Sequence, residues 1–240
     1  MDTRLESMLA RANELVKDLE AEYNNCLRDQ SVSMRAQNLT IEVLTKLRGV
    51  LDHTMTRAWG KYVAPNLSQQ ERGRVRVYFP IANDLKSFCS ILGKGRMADL
   101  DKVHKDLYDY LLTQQPFSSK ENQWLDILRK IAAEGKHVRL TPQKRTESQR
   151  IKVSTPEGSV SWDPSSVKFS GGIRVLGAPI DPRTQRIVPT PGVTEQVEIW
   201  VSFIFEDYGV NALGFCKEAC QKTRALIEEM VSVLQLQDTV

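Results

Sequence analysis

Between Lys136 and Asp207 the hydrophobic period of the chain falls from 3.6 residues to 2, and β-branched residues, prolines and glycines rise together. On both sides of this stretch the period is helical. A helix buries a stripe and a strand buries a face, so the sequence predicts an α+β fold: a helical bundle with a small antiparallel β-sheet inserted before the C-terminal helix. The boundaries fall at 1–137 for the bundle, 138–207 for the β region and 208–240 for the helix that rejoins the bundle.

Inside the insert the expected strands are Arg150 to Ser154, Val160 to Trp162, Val167 to Phe169, Ile173 to Leu176 and the long Gln196 to Phe205. Turn signals are Pro156-Glu157-Gly158 and Gly171-Gly172. The last strand alternates Val197, Ile199, Val201, Phe203 and Phe205 with a mixed second face, which predicts a central position. With four prolines and several charges, Ala178 to Pro191 reads as an exposed loop.

Five helices are expected ahead of the insert. The first, Thr3 to Arg28, carries one apolar stripe from Leu5 to Tyr23. A polar turn at Asp29 to Ser33 returns the chain into the second, which contains Thr40 to Trp59. An arginine-rich stretch through Arg72, Arg74 and Arg76 then extends as a short strand, Val75 to Phe79. Asn83 is expected to cap a brief helix ended by Gly93, the next helix runs from Ala98 to Gln115, and Ser118 or Ser119 opens the last, which Gly135 closes. His104 falls in the apolar register of Leu100, Val103, Leu107 and Leu111 and reads as a packed or interfacial histidine.

The second helix organises the rest. Ile41, Leu44, Leu47, Leu51 and Met55 form its core face, and no proline interrupts it until Pro65. Inside it stands Arg48-Gly49-Val50-Leu51-Asp52-His53, an arginine and a histidine with four residues between them. This segment resembles the Arg-x(4–6)-His motif of HEPN domains, small helical bundles of which many are metal-independent RNases. LRGVLDHTM is similar to the LRxxLDH helix of bacterial HEPN-like proteins, in which a Phe-Pro-Ile triplet follows, as Phe79-Pro80-Ile81 does here.

The resemblance implies a homodimer in which Arg48 and His53 of both copies line one cleft. Arg48 would bind the scissile phosphate of RNA and His53 would act as general acid and base, with Asp52 in support and neither metal nor cofactor. It implies a role in phage defence or as a toxin, with an antitoxin or defence partner. On one helix, however, residues five apart differ by about 140° in rotation and about 7.5 Å in rise, so one copy does not place the two on one face. Two further readings stay open. Arg48 and Asp52, four apart, can form an ordinary helix-surface ion pair; and Gly49 stands where active motifs often carry a polar residue, which fits a non-catalytic HEPN-like protein that binds a nucleotide or a protein.

A second basic cluster, Lys136, His137, Arg139, Lys144 and Arg145, reads as a phosphate-binding edge of an RNA cleft or as a solvated loop. The net charge of +3 does not by itself demand a nucleic-acid partner. No apolar run nears the roughly 18 residues a membrane span needs, and the N-terminus lacks a signal-peptide core, so the expectation is a cytoplasmic protein with no membrane partner. The four cysteines, Cys26, Cys89, Cys216 and Cys220, include no Cys-x-x-Cys pair and read as reduced thiols. Gly-rich phosphate loops and nucleophile elbows are missing, which removes several enzyme classes.

Overall fold

The computed structural model describes residues 3–29, 31–135 and 143–233, without the side chains of 134–135, 143–148, 198–202 and 233. It is an α+β protein, and the chain divides into two compact units, Met1–Gln143 with Phe205–Val240 (unit 1) and Lys144–Ile204 (unit 2).

Unit 1 is helical. Helix α1, Thr3–Asp29, packs along α2, Met34–Tyr62. Between them Ser33 stops one helix and starts the other: its hydroxyl accepts from Ala36 N at 3.0 Å and donates to Glu22 at 2.5 Å. The helix thus begins directly after the polar turn expected at Asp29 to Ser33. Val43, Leu44, Leu47, Val50, Leu51, Met55 and Ala58 of α2 are wholly buried. They form the seam on which α1, α7 (Gln123–Gly135) and α8 (Ala212–Val233) converge. A cavity made at this seam by Leu47→Ala would cost about 2–5 kcal/mol. Pro65, in the 3-10 turn Ala64–Asn66, prevents α2 from continuing.

Four expectations for unit 1 need correction. Residues 69–74 form a short helix, α3 (Gln69–Arg74), opened by a capping box between Ser68 and Glu71. The stretch from Val75 to Phe79 is extended but joins no ladder, so it is a strap and not a strand. After α4 (Leu85–Lys94), which Asp84 and not Asn83 caps, the single helix expected over 98–115 is broken in two, α5 (Leu100–Val103) and α6 (Lys105–Thr113). His104 makes the break. Its backbone lies at φ −149°, its Nδ1 accepts from Leu107 N at 3.2 Å as the N-cap of α6, and its ring meets Tyr62 edge-on at 4.1 Å. Periodicity alone cannot register such a cap, because Leu100 and Leu107 are buried in either case.

Unit 2 holds six strands among the described residues: β1 (Gln143–Thr155), β2 (Gly158–Trp162), β3 (Arg174–Val175), β4 (Ala178–Asp181), β5 (Arg186–Ile187) and β6 (Thr194–Phe205), the last ending in unit 1. The order β2-β1-β6 makes β1 central and places β6 at the edge, contrary to the reading from its alternation. β1 and β2 form an antiparallel hairpin, pairing Val153 with Val160 and Thr155 with Gly158 across Pro156-Glu157. The second sheet, β3-β4-β5, is also antiparallel and uses the segment expected to be a loop. There Ala178, Ile180 and Ile187 join Ile151, Val153 and Trp162 in the unit's core. Pro179 is tolerated because the ladder asks it for a carbonyl, which accepts from Val188 N at 2.8 Å. Val167 to Phe169 joins no ladder.

Candidate anion-binding cavity

The strap presents a physical problem. Phe79, Pro80, Ile81 and Ala82 are buried, yet no neighbouring strand serves their peptide groups. Side chains from α2 and from the residue after the C-cap of α6 do so instead. Asp52 Oδ1 accepts from Phe79 N at 2.9 Å, and Arg48 Nη2 donates to Phe79 O at 2.8 Å. Gln115, wholly buried just after α6, accepts from Ala82 N at 2.9 Å and donates to Pro80 O at 2.9 Å and Leu111 O at 2.7 Å.

Arg48 and Asp52 are therefore more than a helix-surface pair. Their contact is two-pronged, Nη2 to Oδ1 at 2.9 Å and Nε to Oδ2 at 3.3 Å, with side chains only 14% and 19% exposed. Helical spacing of four brings the two together, and the shared target Phe79 holds both in place. Burial lowers the pKa of Arg48, the Asp52 charge and hydrogen bond oppose the shift, and the like charge of Arg129 adds to it. The guanidinium remains charged at neutral pH.

Beside this clamp lies a cavity of about 590 Å³. Its wall carries the cations Arg48, Arg74, Arg76, Lys94 and Arg129 together with Tyr78, and its apolar part is made by Phe79, Ile81, Ile91 and Met97. Among the described residues no acidic side chain lines it. Arg74 ends α3, Arg76 follows on the strap, Lys94 ends α4 and Arg129 comes from α7, so with Arg48 of α2 five segments deliver charge of one sign. Arg129 is held by Asp126 at 2.6 Å, and that carboxylate also binds Lys130 at 2.8 Å. Burial raises the pKa of Asp126, but the two cations outweigh it and hold the group below its usual value. A smaller cavity of about 200 Å³ shares Arg48, Tyr78 and Arg129 with the first and adds Asp52, Ala132 and Ala133. By contrast, the cavity of about 330 Å³ near Tyr62 and Leu100 offsets Arg96 with Glu71 and Asp99.

Of the residues expected to form the site, Arg48 lines both cationic cavities and Asp52 the smaller one. His53 lines neither; it sits half-buried on α2. Lys136, His137 and Arg139 lie outside the described residues, and Lys144 and Arg145 fall on β1 in unit 2, where their side chains are outside the described ones. Gly49 leaves room for a side chain: a Cβ there would make ordinary contact, 3.7 Å from Met8 Cε. Arg74 and Arg76 were read only as part of an arginine-rich stretch, and Lys94 and Arg129 were not singled out by sequence. The alternation Arg74-Val75-Arg76-Val77-Tyr78 could have signalled a common face, but nothing local ties it to Lys94 or Arg129.

Among the described residues no group of three or more His, Cys, Asp or Glu is placed to hold a metal ion, and no helix is long and apolar enough to cross a membrane. Cys216 and Cys220 are buried in α8, and burial pushes the Cys220 thiol up to about 11 and Cys216 further. No family model, curated protein or solved structure matches the chain.

Proposed function

We propose that unit 1 is a HEPN-like helical module that binds a phosphate-bearing ligand, a nucleotide or RNA, in the cationic cavity, as a binding protein whose action does not depend on His53. The observation that carries this reading is the five cations around one cavity, with no carboxylate among the described residues of its wall. Arg48 then has two duties, closing the strap and contributing charge. Guanidinium groups suit such a ligand because their fork of donors matches phosphate oxygens.

The test is RNA binding by fluorescence anisotropy across a salt series. Arg74, Arg76 and Lys94 are exposed and line the cavity without supporting the core, so Arg74→Glu/Arg76→Glu/Lys94→Glu should keep the melting temperature and lose binding. Each lost phosphate contact should lower the slope of log K against log salt by about 0.7–0.9. Binding unchanged in this triple variant would sink the reading.

One observation favours a second reading, the metal-independent RNase: the motif arginine is in the cavity wall. That chemistry needs His53 of a second copy at the cleft, and so a homodimer, with a toxin or defence role and an antitoxin partner following from it. It predicts cleavage that persists in EDTA, leaves a 2′,3′-cyclic phosphate and is lost on His53→Ala. Light scattering that finds a monomer at tens of micromolar would remove it.

A further inference from the structure

The junction of the two cationic cavities has a feature that general attraction for phosphate does not use. Arg48 of α2 and Arg129 of α7 line both cavities, together with Tyr78, and lie near enough for the charge of one to oppose that of the other. Neither guanidinium is fully satisfied among the described residues. Arg48 Nη1 and Arg129 Nε are buried with no hydrogen-bond partner among the described residues, although Asp52 and Asp126 each hold another part of the same heads. Two like-charged heads with donors to spare are best matched by one small, doubly charged acceptor.

We infer that the branch between Arg48, Arg129 and Tyr78 takes a terminal phosphate monoester, the 5′-phosphate end of an RNA or of a mononucleotide, in preference to an internal phosphodiester. This rests on the phosphate-binding reading above and narrows it. A monoester carries three free oxygens and a charge of about −1.5 to −2 at neutral pH, enough for two guanidiniums. An internal diester carries one charge and two free oxygens, and its chain must also leave the site again. At about 200 Å³, walled on one side by the small side chains of Ala132 and Ala133, the branch suits an end group. Asp52 also faces it, but its two oxygens are already engaged by Arg48 and Phe79 N. The remainder of the nucleotide would lie in the larger cavity, along Phe79, Ile81, Ile91 and Met97, with Arg74, Arg76 and Lys94 at its entrance.

The experiment compares one short RNA bearing a 5′-phosphate with the same RNA bearing a 5′-hydroxyl, using the full chain, with adenosine 5′-monophosphate and inorganic phosphate as competitors. The phosphorylated end should bind at least about tenfold tighter, and adenosine monophosphate should compete for it better than adenosine does. Arg129→Gln should abolish the preference, leaving Asp126 to Lys130; Ala133→Glu, at an exposed position of the branch wall, should do the same by placing a carboxylate where the phosphate would sit. Equal affinity for the two RNAs, with binding still lost in the Arg74/Arg76/Lys94 variant, overturns the inference and leaves the phosphate-binding reading intact. No binding of either RNA or of the competitors overturns both. A preference that survives Arg129→Gln and Ala133→Glu in folded protein shows that the end is read elsewhere.

Discussion

Each unit contains a buried glutamine that does the work of a missing strand, and the two differ in what surrounds them. In unit 1 Gln115 serves Pro80 and Ala82 of the strap. In unit 2 Gln185 accepts from Phe169 N at 2.7 Å and donates to Phe169 O at 3.1 Å and Pro182 O at 2.6 Å. Both close the backbone ledger of an extended segment outside any ladder. The strap, however, also receives a charged pair, Arg48 and Asp52, and borders a cationic cavity; the Phe169 segment packs edge-on against Trp162 at 5.1 Å. A strap held by neutral amides alone is a structural device. One held by a half-buried guanidinium that also lines a cavity ties the backbone of the strap to the cavity wall.

The comparison is broken most severely at Asp52. Asp52→Ala removes the carboxylate from a guanidinium that is 14% exposed and leaves Phe79 N without an acceptor, so a loss of about 3 kcal/mol is expected in urea unfolding. Asp52→Asn should recover part of it by restoring an acceptor to Phe79. A loss under about 1 kcal/mol would mean that water or Arg48 alone serves the strap well enough. Gln115→Ala comes next. It leaves buried groups of Ala82 and Pro80 unpaired at a site with no solvent exposure, for about 2–3 kcal/mol, and it should leave anion binding less affected than Asp52→Ala.

This ranking also explains what could be read from sequence. The helices announced themselves through spacing: Leu44, Leu47, Leu51 and Met55 lie on one stripe, and all four are wholly buried. Arg48, Asp52 and Phe79-Pro80-Ile81 were each noticed, but as a motif and a distant triplet. That they form one clamp follows from a contact 27 residues apart, on which periodicity is silent. Unit 2 was harder for a different reason. Its second sheet is built from strands of two to four residues, too short to show alternation, and Pro179, Pro182, Pro189 and Pro191 gave a loop's composition to a segment that contributes Ala178, Ile180 and Ile187 to the core. The cationic cavity is legible only in three dimensions, since α3, α4 and α7 each supply charges that look like an ordinary solvated face.

In unit 2 the same logic predicts smaller effects. Gln185→Ala should cost about 1–2 kcal/mol through the three lost bonds. Gln185 also adopts φ +59°, a left-handed backbone that favours glycine, so Gln185→Gly should cost less than Gln185→Ala by up to about 1 kcal/mol. If the alanine variant is the more stable of the two, strain at this turn is not what its backbone angle implies.

The smallest effect tests locality itself. Where Asp52 reaches a residue 27 positions away, Asp163 of unit 2 binds its own neighbourhood: Oδ1 accepts from Ser165 N at 2.7 Å and from Ser165 Oγ at 2.7 Å. The hydroxyl and backbone bonds of Ser165, with help from the charge of Arg150, hold the Asp163 carboxyl below the ordinary aspartate value of 3.8. A folded-state pKa below the unfolded one adds stability that is present above pH 3.8 and drains away as pH falls through the depressed value. Asp163 is partly exposed, so the amount is small and solvent screens it. Carbon-detected NMR titration should find its midpoint under 3.8, and Ser165→Ala should move that midpoint upward. Asp163→Asn keeps an acceptor for Ser165 N without a titrating group, so stability near neutral pH should barely change while the acid limb of the curve below that value becomes shallower. A midpoint that stays at the ordinary value in the parent would show the turn to be open in solution, and would leave Gln185 as the main side-chain support of the Phe169 segment.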